Sequence, residues 1–216
     1  MKKPILLFDF DGTIADTFHN ILHIINRLAE EFHFRPIGDN EVSKLKDMTS
    51  QEIVYHLKVP IMKIPMLVTR GKQELQKEMA AIQPAPGLHD ILHQIKKLGF
   101  RMGILSSNSE TNVMTFLNNH DMNLFDFINT TPKIWSKNTC LKNLLRQKKL
   151  SPDQILYIGD ETRDIKAAHR VGIPVAAVTW GYNSVKALQN LRPNYIIHQP
   201  QELFILCQSL NGSPQP

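Results

Sequence analysis

"ILLFDFDGTIADT", residues 5–17, holds two demands that pull against each other. Ile5, Leu6, Leu7 and Phe8 run without polar alternation, which predicts a strand buried on both faces. That run ends in Asp9 and Asp11, two acids that repel one another and cost free energy to desolvate. Side chains two apart on extended backbone point the same way, so both carboxylates face one spot. Gly12 lets the backbone turn sharply there, and Thr13 follows. Asp-Gly is also an ordinary turn signal, so a solvated turn competes with a functional pair on this stretch alone.

Downstream, helix and strand patterns alternate. Leu88 to Leu98 has helical apolar spacing and ends at Gly99, a natural terminator. Arg101 to Leu105 reads as a strand that runs into the polar stretch Ser106-Ser107-Asn108-Ser109. A helix over Glu110 to Asn119 follows, then a short strand near Phe127 and Ile128, then a helix after Ser136. Ile155 to Ile158 is a strand, 159–164 a polar loop, and the next helix ends at Gly172. Val175 to Val178 and Tyr195 to Ile197 complete the strands. Units alternating in this way predict an α/β fold, a doubly wound parallel sheet with helices on both faces.

The rhythm breaks over 17–84. Phe18, Ile21, Leu22, Ile25, Leu28, Ala29 and Phe32 recur three or four apart, giving a long amphipathic helix. Thr49-Ser50-Gln51-Glu52 has capping-box spacing before another periodic stretch, and Pro65 suits the first turn of a helix extending towards Ile82. Asp16 stands where the first of these helices begins and is expected to cap it. The expected organisation is therefore an α/β core from 1–15 and 87–210, an all-helical insertion at 16–86, and a disordered tail at 211–216.

The totals narrow the function classes. The chain has 216 residues, 42% hydrophobic and 21% charged, enough for a sizeable core. No apolar run approaches the length of a membrane span, and the four apolar residues after Pro4 are too few for a signal peptide. Cys140 and Cys207 lie far apart, which fits two thiols in a reducing cytoplasm. The net charge is +5, with the surplus after residue 87 and the helical insertion nearly balanced. Lys142, Arg146, Lys148 and Lys149 form a solvated helix face without interleaved aromatics, so nucleic acid and membrane are not expected partners. His19 with His23, and His89 with His93, sit one helical turn apart but lack a third ligand nearby in sequence.

In an open parallel sheet, ligands bind beyond the carboxyl ends of the strands, near the switch in strand order. Those ends carry a consistent set. The first strand delivers Asp9 and Asp11, the second Ser106, a helix start Lys137, and the strand over 155–158 delivers Asp160 with Asp164 four residues on. Several carboxylates converging on one spot require a cation, and an all-oxygen set with room for water suits Mg²⁺. A serine and a lysine beside such a metal are suitable partners for a phosphoryl group.

With these residues in hand, the sequence resembles the haloacid dehalogenase superfamily, and in particular its phosphatases. The matching stretches are "DFDGT" (9–13), "GILSS" (103–107), Lys137 within "WSKNTCL", and "IGDETRD" (158–164). Lys133 competes with Lys137 for the third position. The resemblance implies that Asp9 attacks phosphorus and that Asp11 protonates the leaving oxygen and then activates water. It implies Mg²⁺ held by Asp9, the backbone carbonyl of Asp11, Asp160 and Asp164. Ser106, the backbone N–H of Ser107 and Lys137 would hold the phosphoryl oxygens. Among capped members the chain looks most like phosphoglycolate phosphatases, so the expected substrate is a small phosphorylated metabolite. A phosphomutase of the same superfamily, a non-catalytic phosphate-binding regulator on this fold and a signalling receiver domain are the rival readings. Trp180 and Tyr182 either border the site or pack the core, and the oligomeric state is not legible.

Overall fold

The computed structural model describes residues 3–131 and 137–212. The first strand, β1 (Ile5–Phe8), is buried along its whole length, as its unbroken apolar run requires. After it come four helices, α1 (Phe18–Phe32), α2 (Val42–Leu45), α3 (Ser50–His56) and α4 (Ile64–Glu78), with no strand between them among the described residues. The chain then alternates α5 (Leu88–Lys97), β2 (Met102–Ser106), α6 (Glu110–Asn119), β3 (Phe127–Thr130), α7 (Lys137–Lys148) and β4 (Ile155–Gly159). It closes with α8 (Thr162–Arg170), β5 (Val175–Val178), α9 (Val185–Gln189), β6 (Tyr195–Ile197) and α10 (Pro200–Leu210).

The six strands form one sheet in the order β3-β2-β1-β4-β5-β6. Every neighbouring pair is parallel, with Leu7 of β1 opposite Gly103 of β2 and Tyr157 of β4. The order reverses direction between β1 and β4, so the crevice lies beyond the ends of those two strands. Alternation along the strands divides the apolar side chains between two layers. Leu6, Phe8, Ile104, Leu156 and Ile158 face the side covered by α5 and α10, whereas Leu7, Leu105, Tyr157 and Val175 face α7 and α8. Each fully buried Leu, Ile or Phe contributes roughly 1.5–3 kcal/mol relative to exposure, which anchors β1 and β4 at the centre of the sheet.

The helices at 18–78 leave and rejoin the sheet through a paired crossing. Asp16 N–H donates to Gln83 O at 3.0 Å and Ala85 N–H to Ile14 O at 2.9 Å. Asp16 is exposed and stands outside α1, and Thr17, which flanks the helix, makes no side-chain cap bond. The expected Asp16 cap is therefore corrected: the chain is still engaged in the crossing at that residue. Thr49 does form a capping box with Glu52. The helix that Pro65 opens stops at Glu78 rather than running to Ile82. Two helices, α9 and α10, were not anticipated. The second has Pro200 in its first turn and packs Leu203 and Cys207 against the sheet side of α5. Asn211 and Gly212 form a turn, and the rest of the tail lies outside the described residues.

Candidate active site

The sheet continues one residue past β1, where Asp9 N–H donates to Ile158 O at 2.8 Å. This places the Asp9 carboxylate at the strand end, with Oδ1 accepting from the Phe10 N–H at 2.8 Å. Gly12 then turns the chain with φ near +75°, a left-handed conformation that side-chain-bearing residues resist. Space forbids a side chain as well, because a Cβ there would sit 2.3 Å from the Tyr182 ring and 2.4 Å from Asp160 Oδ2. On the adjacent strand, Asp160 directly follows the end of β4. Its Oδ1 accepts from the Thr13 hydroxyl at 2.6 Å and its Oδ2 from the Tyr182 N–H at 2.8 Å. Asp164, in the first turn of α8, accepts from the Glu161 N–H at 3.1 Å.

Lys137, the first residue of α7, joins these acids. Its Nζ donates to Asp9 Oδ2 and to Asp164 Oδ1, each at 2.5 Å, and only 3% of its side chain is exposed. Carboxylate oxygens of Asp9, Asp160 and Asp164 lie within 4.8 Å of one another, a group suited to a divalent cation. One lysine cannot neutralise three buried acids. Burial, against the pull of Lys137, raises the Asp9 carboxyl to about 7. Asp160 is pushed well above the carboxylate range by burial and by Glu161, Asp9 and Asp164. Burial also works against the Lys137 charge, but Asp164 and Asp9 outweigh it and its pKa rises. The cluster therefore carries a deficit of positive charge that a hard cation relieves.

Asp11 lies outside this cluster. Asn108 Nδ2 donates to its two carboxylate oxygens at 3.0 and 3.1 Å, and burial lifts its pKa to about 6. Asn108 is itself fixed, because its N–H donates to Ser106 Oγ at 2.9 Å and its Oδ1 accepts from Asn112 Nδ2 at 2.9 Å. The Ser106 hydroxyl thus keeps its proton available to an incoming oxygen. Ser107, Asn108 and Asp11 border a cavity of about 340 Å³ between the strand ends and α1, α3 and α4. Backbone carbonyls of the turn between α2 and α3 meet the core across this gap. Asn183 Nδ2 donates to Lys46 O and Met48 O, both at 2.9 Å, while its Oδ1 accepts from the Thr162 N–H at 2.8 Å.

Asp9, Asp160, Asp164 and Lys137 thus form one buried group, with Asp11, Ser106 and Ser107 beside it. Lys133 lies outside the described residues. Asn108 carried no role in the sequence reading, although its position two residues past the end of β2 marked it. Tyr182 borders the site rather than packing alone, its hydroxyl 3.0 Å from Thr17 Oγ1. Trp180 also reaches it, donating from Nε1 to Thr13 O at 3.0 Å.

The chain is similar to known proteins in sequence and in fold. Residues 6–178 match the model of the haloacid dehalogenase-like hydrolases. A phosphoglycolate phosphatase of Synechococcus elongatus is 33% identical over 92% of this chain and 94% of its own. A pyrophosphatase of Bacillus mycoides is 23% identical over 98% of this chain and all (100%) of its own. The crystal structure of a predicted phosphatase from Clostridium acetobutylicum superposes with a TM-score of 0.82 over 97% of this chain and 100% of that one, at 20% identity. The chain belongs to the haloacid dehalogenase-like hydrolases, and the curated relatives it matches along nearly its whole length are phosphatases.

Proposed function

We propose that the protein is a Mg²⁺-dependent phosphatase of a small phosphorylated metabolite, akin to the phosphoglycolate phosphatases, working through an aspartyl-phosphate intermediate. The observation that carries this reading is the division of the opening acids. Asp9 sits on Lys137 in the buried cluster, whereas Asp11 stands apart on the cavity wall, held by Asn108. Asp9 then attacks phosphorus, a bond forms between its carboxylate and the phosphoryl group, and the ester P–O bond breaks. Asp11, lifted by burial to about 6, gives its proton to the departing alkoxide, so an alcohol leaves. The resulting carboxylate takes a proton from water as that water attacks the acyl phosphate, which frees Asp9 and releases phosphate. Ser106, the Ser107 N–H and Lys137 hold the phosphoryl oxygens throughout.

Asp9, Asp160, Asp164 and the Asp11 carbonyl would hold Mg²⁺. The all-oxygen donor set and its charge deficit fit a hard cation. Bound there, the ion supplies positive charge that lets a carboxylate approach a phosphate dianion. Residues 16–86 serve as a cap over the core, and their closure keeps water from the intermediate until the alcohol has left. Four competent catalytic positions and the phosphatase relatives favour this over a non-catalytic regulator.

The test is phosphate release from a panel of phosphomonoesters, with borohydride trapping of the intermediate. Chelation should abolish release and Mg²⁺ restore it, while Ca²⁺, which takes more ligands at longer distances, should inhibit. Full activity in chelator, or no phosphate release with Mg²⁺ present, overturns the reading.

A further inference from the structure

The cavity over the site has two kinds of wall. One part of the lining is polar: Asp11, Ser107, Asn108, Lys46, Lys72 and Arg163. Another part is aliphatic: Ile21, Leu22 and Ile25 of α1, Ile53 and Val54 of α3 and Leu67 of α4 all line it, and all six remain half-buried. These are the apolar faces on which the helices would otherwise pack, held apart by about 340 Å³ of space. Interior space in proteins is normally filled to crystal-like density. A largely apolar cavity favours apolar guests, because water against its aliphatic walls finds few polar partners. The volume lies in the usual range of pockets that enclose a whole small molecule.

We propose that this cavity is the subsite for an apolar substituent on the substrate, so that the preferred substrate is a phosphomonoester of a hydrophobic alcohol, with several carbons in a chain or ring. The inference rests on the phosphatase reading above and deepens it. Continuity supports it, since the aliphatic interior opens onto Asp11, which protonates the leaving oxygen, and that oxygen carries the substituent. The cations also stand on the core side of the lining, Lys46 Nζ donating to Gly181 O at 3.1 Å and Arg163 pairing with Glu161. Lys72 Nζ makes no hydrogen bond or ion pair with the described residues, and its chief electrostatic partner is Asp11. Its ammonium complements the phosphate. A substrate with a charged remote end lying among Ile21, Leu22 and Val54 would bear a desolvation cost that those aliphatic side chains do not offset.

The experiment compares n-alkyl phosphates from ethyl to octyl with 2-phosphoglycolate. Leaving-group basicity is nearly constant along the alkyl series, so differences in kcat/KM report the enclosure of the chain. The expected result is a rise of roughly 4-fold per methylene over the first few additions, with octyl phosphate at least about tenfold above 2-phosphoglycolate. A flat or falling series, or 2-phosphoglycolate as the best substrate, overturns the subsite while leaving phosphatase activity established. Ile25→Phe and Val54→Phe, which fill the cavity, should draw the octyl-to-ethyl ratio towards one. That ratio is taken within one preparation, so any loss of folded protein cancels, and an unchanged ratio overturns the placement. Calorimetry with non-hydrolysable alkyl phosphonates reads the cavity without turnover. If no ester is hydrolysed, the phosphatase reading fails, while affinity that climbs with chain length still supports the subsite and affinity that does not overturns it.

Discussion

The wall of the site built from strand ends and the wall built from α1, α3 and α4 differ in how completely each is filled. On the strand side, Asp9, Asp160 and Asp164 are all buried, and each accepts at least two hydrogen bonds from Phe10, Thr13, Tyr182, Glu161 or Lys137. Glycine at position 12 allows the backbone to come that close. On the helical side, aliphatic side chains ring open volume, and polar contacts to the core run through Asn183, Lys46, Ser50 and the Lys72 carbonyl. A wall that performs one reaction must hold its groups to fractions of an ångström, because misplacement sharply reduces rate. A wall that selects the substrate needs shape, and its fine packing is completed by the ligand. Substitutions on the two walls should therefore fail in different ways.

The largest effect belongs to the strand wall. Asp9→Asn should lower turnover by about 10⁴-fold or more and abolish borohydride labelling, since an amide is a poor nucleophile. Asp11→Asn should cost about 10²–10⁴-fold on alkyl phosphates. Its penalty should shrink with nitrophenyl phosphate, whose leaving group departs unprotonated. Metal affinity should survive, because the ligand assigned to this residue is a backbone carbonyl. Single-turnover kinetics of both variants on both substrates measure the division, and equal losses across leaving groups would remove it. Lys137→Ala, which deprives Asp9 and the phosphoryl group of a cation, should cost on the order of 10²-fold in kcat. A near-normal rate would transfer the role to Lys133.

Much of the strand wall was legible in the sequence, and the helical wall was not. A parallel strand covered on both faces writes itself as a continuous apolar run, so the ends of β1 and β4, and the acids on them, stand out by contrast. The helix over Glu110 to Asn119 and the strands at Val175 and Tyr195 were legible for the same reason of unmixed pattern. Asn108 was not, because its partnership with Asp11 depends on β2 lying beside β1, a pairing that crosses 97 positions of chain. The capping expectation for Asp16 failed because the backbone crossing to Gln83 decides that residue's conformation, and no local propensity reports it. The cavity has no local signature at all. Amphipathic spacing in α1 says which face is apolar, but not whether α3 and α4 approach closely enough to close over it.

Stability should separate the walls by a smaller margin. Leu92 in α5 is fully buried in the filled layer against the sheet, whereas Leu28 in α1 is buried but borders the cavity. Deleting a packed leucine forfeits contacts on every side and leaves a new void, while Leu28 already lacks neighbours on one side. Leu92→Ala should fall near the top of the range of about 2–5 kcal/mol and Leu28→Ala near its bottom. Urea unfolding of both variants checks the order. Equal losses would mean that the helical wall is as tightly packed as the sheet.

The smallest effect tests the rim of the helical wall, where charge rather than apolar contact holds the short elements. Glu41 receives both Arg35 guanidinium nitrogens at 2.8 Å, the Gly38 N–H at 2.8 Å, and His56 Nε2 at 2.9 Å. Arg35, then the Gly38 N–H and His56, hold the Glu41 carboxyl at about 2, against an ordinary value of 4.5. A carboxyl depressed in the folded state binds fewer protons there than in the unfolded chain, so its contribution is complete above about pH 4.5 and is lost as pH falls towards 2. Glu41→Gln removes that contribution and keeps the shape of the side chain. Thermal midpoints of wild type and variant should differ by a small, constant amount from pH 5 to 7 and converge as pH approaches 2. The buried acids titrate too, but identically in both proteins, so the difference isolates Glu41. The group is half-buried at the surface and its Arg35 partner is exposed, so the ion pair is screened and salt should shrink the gap at neutral pH. Midpoints that keep the same separation down to pH 2 would show that Glu41 acts through packing rather than charge, and the rim would then be built like the cavity wall it borders.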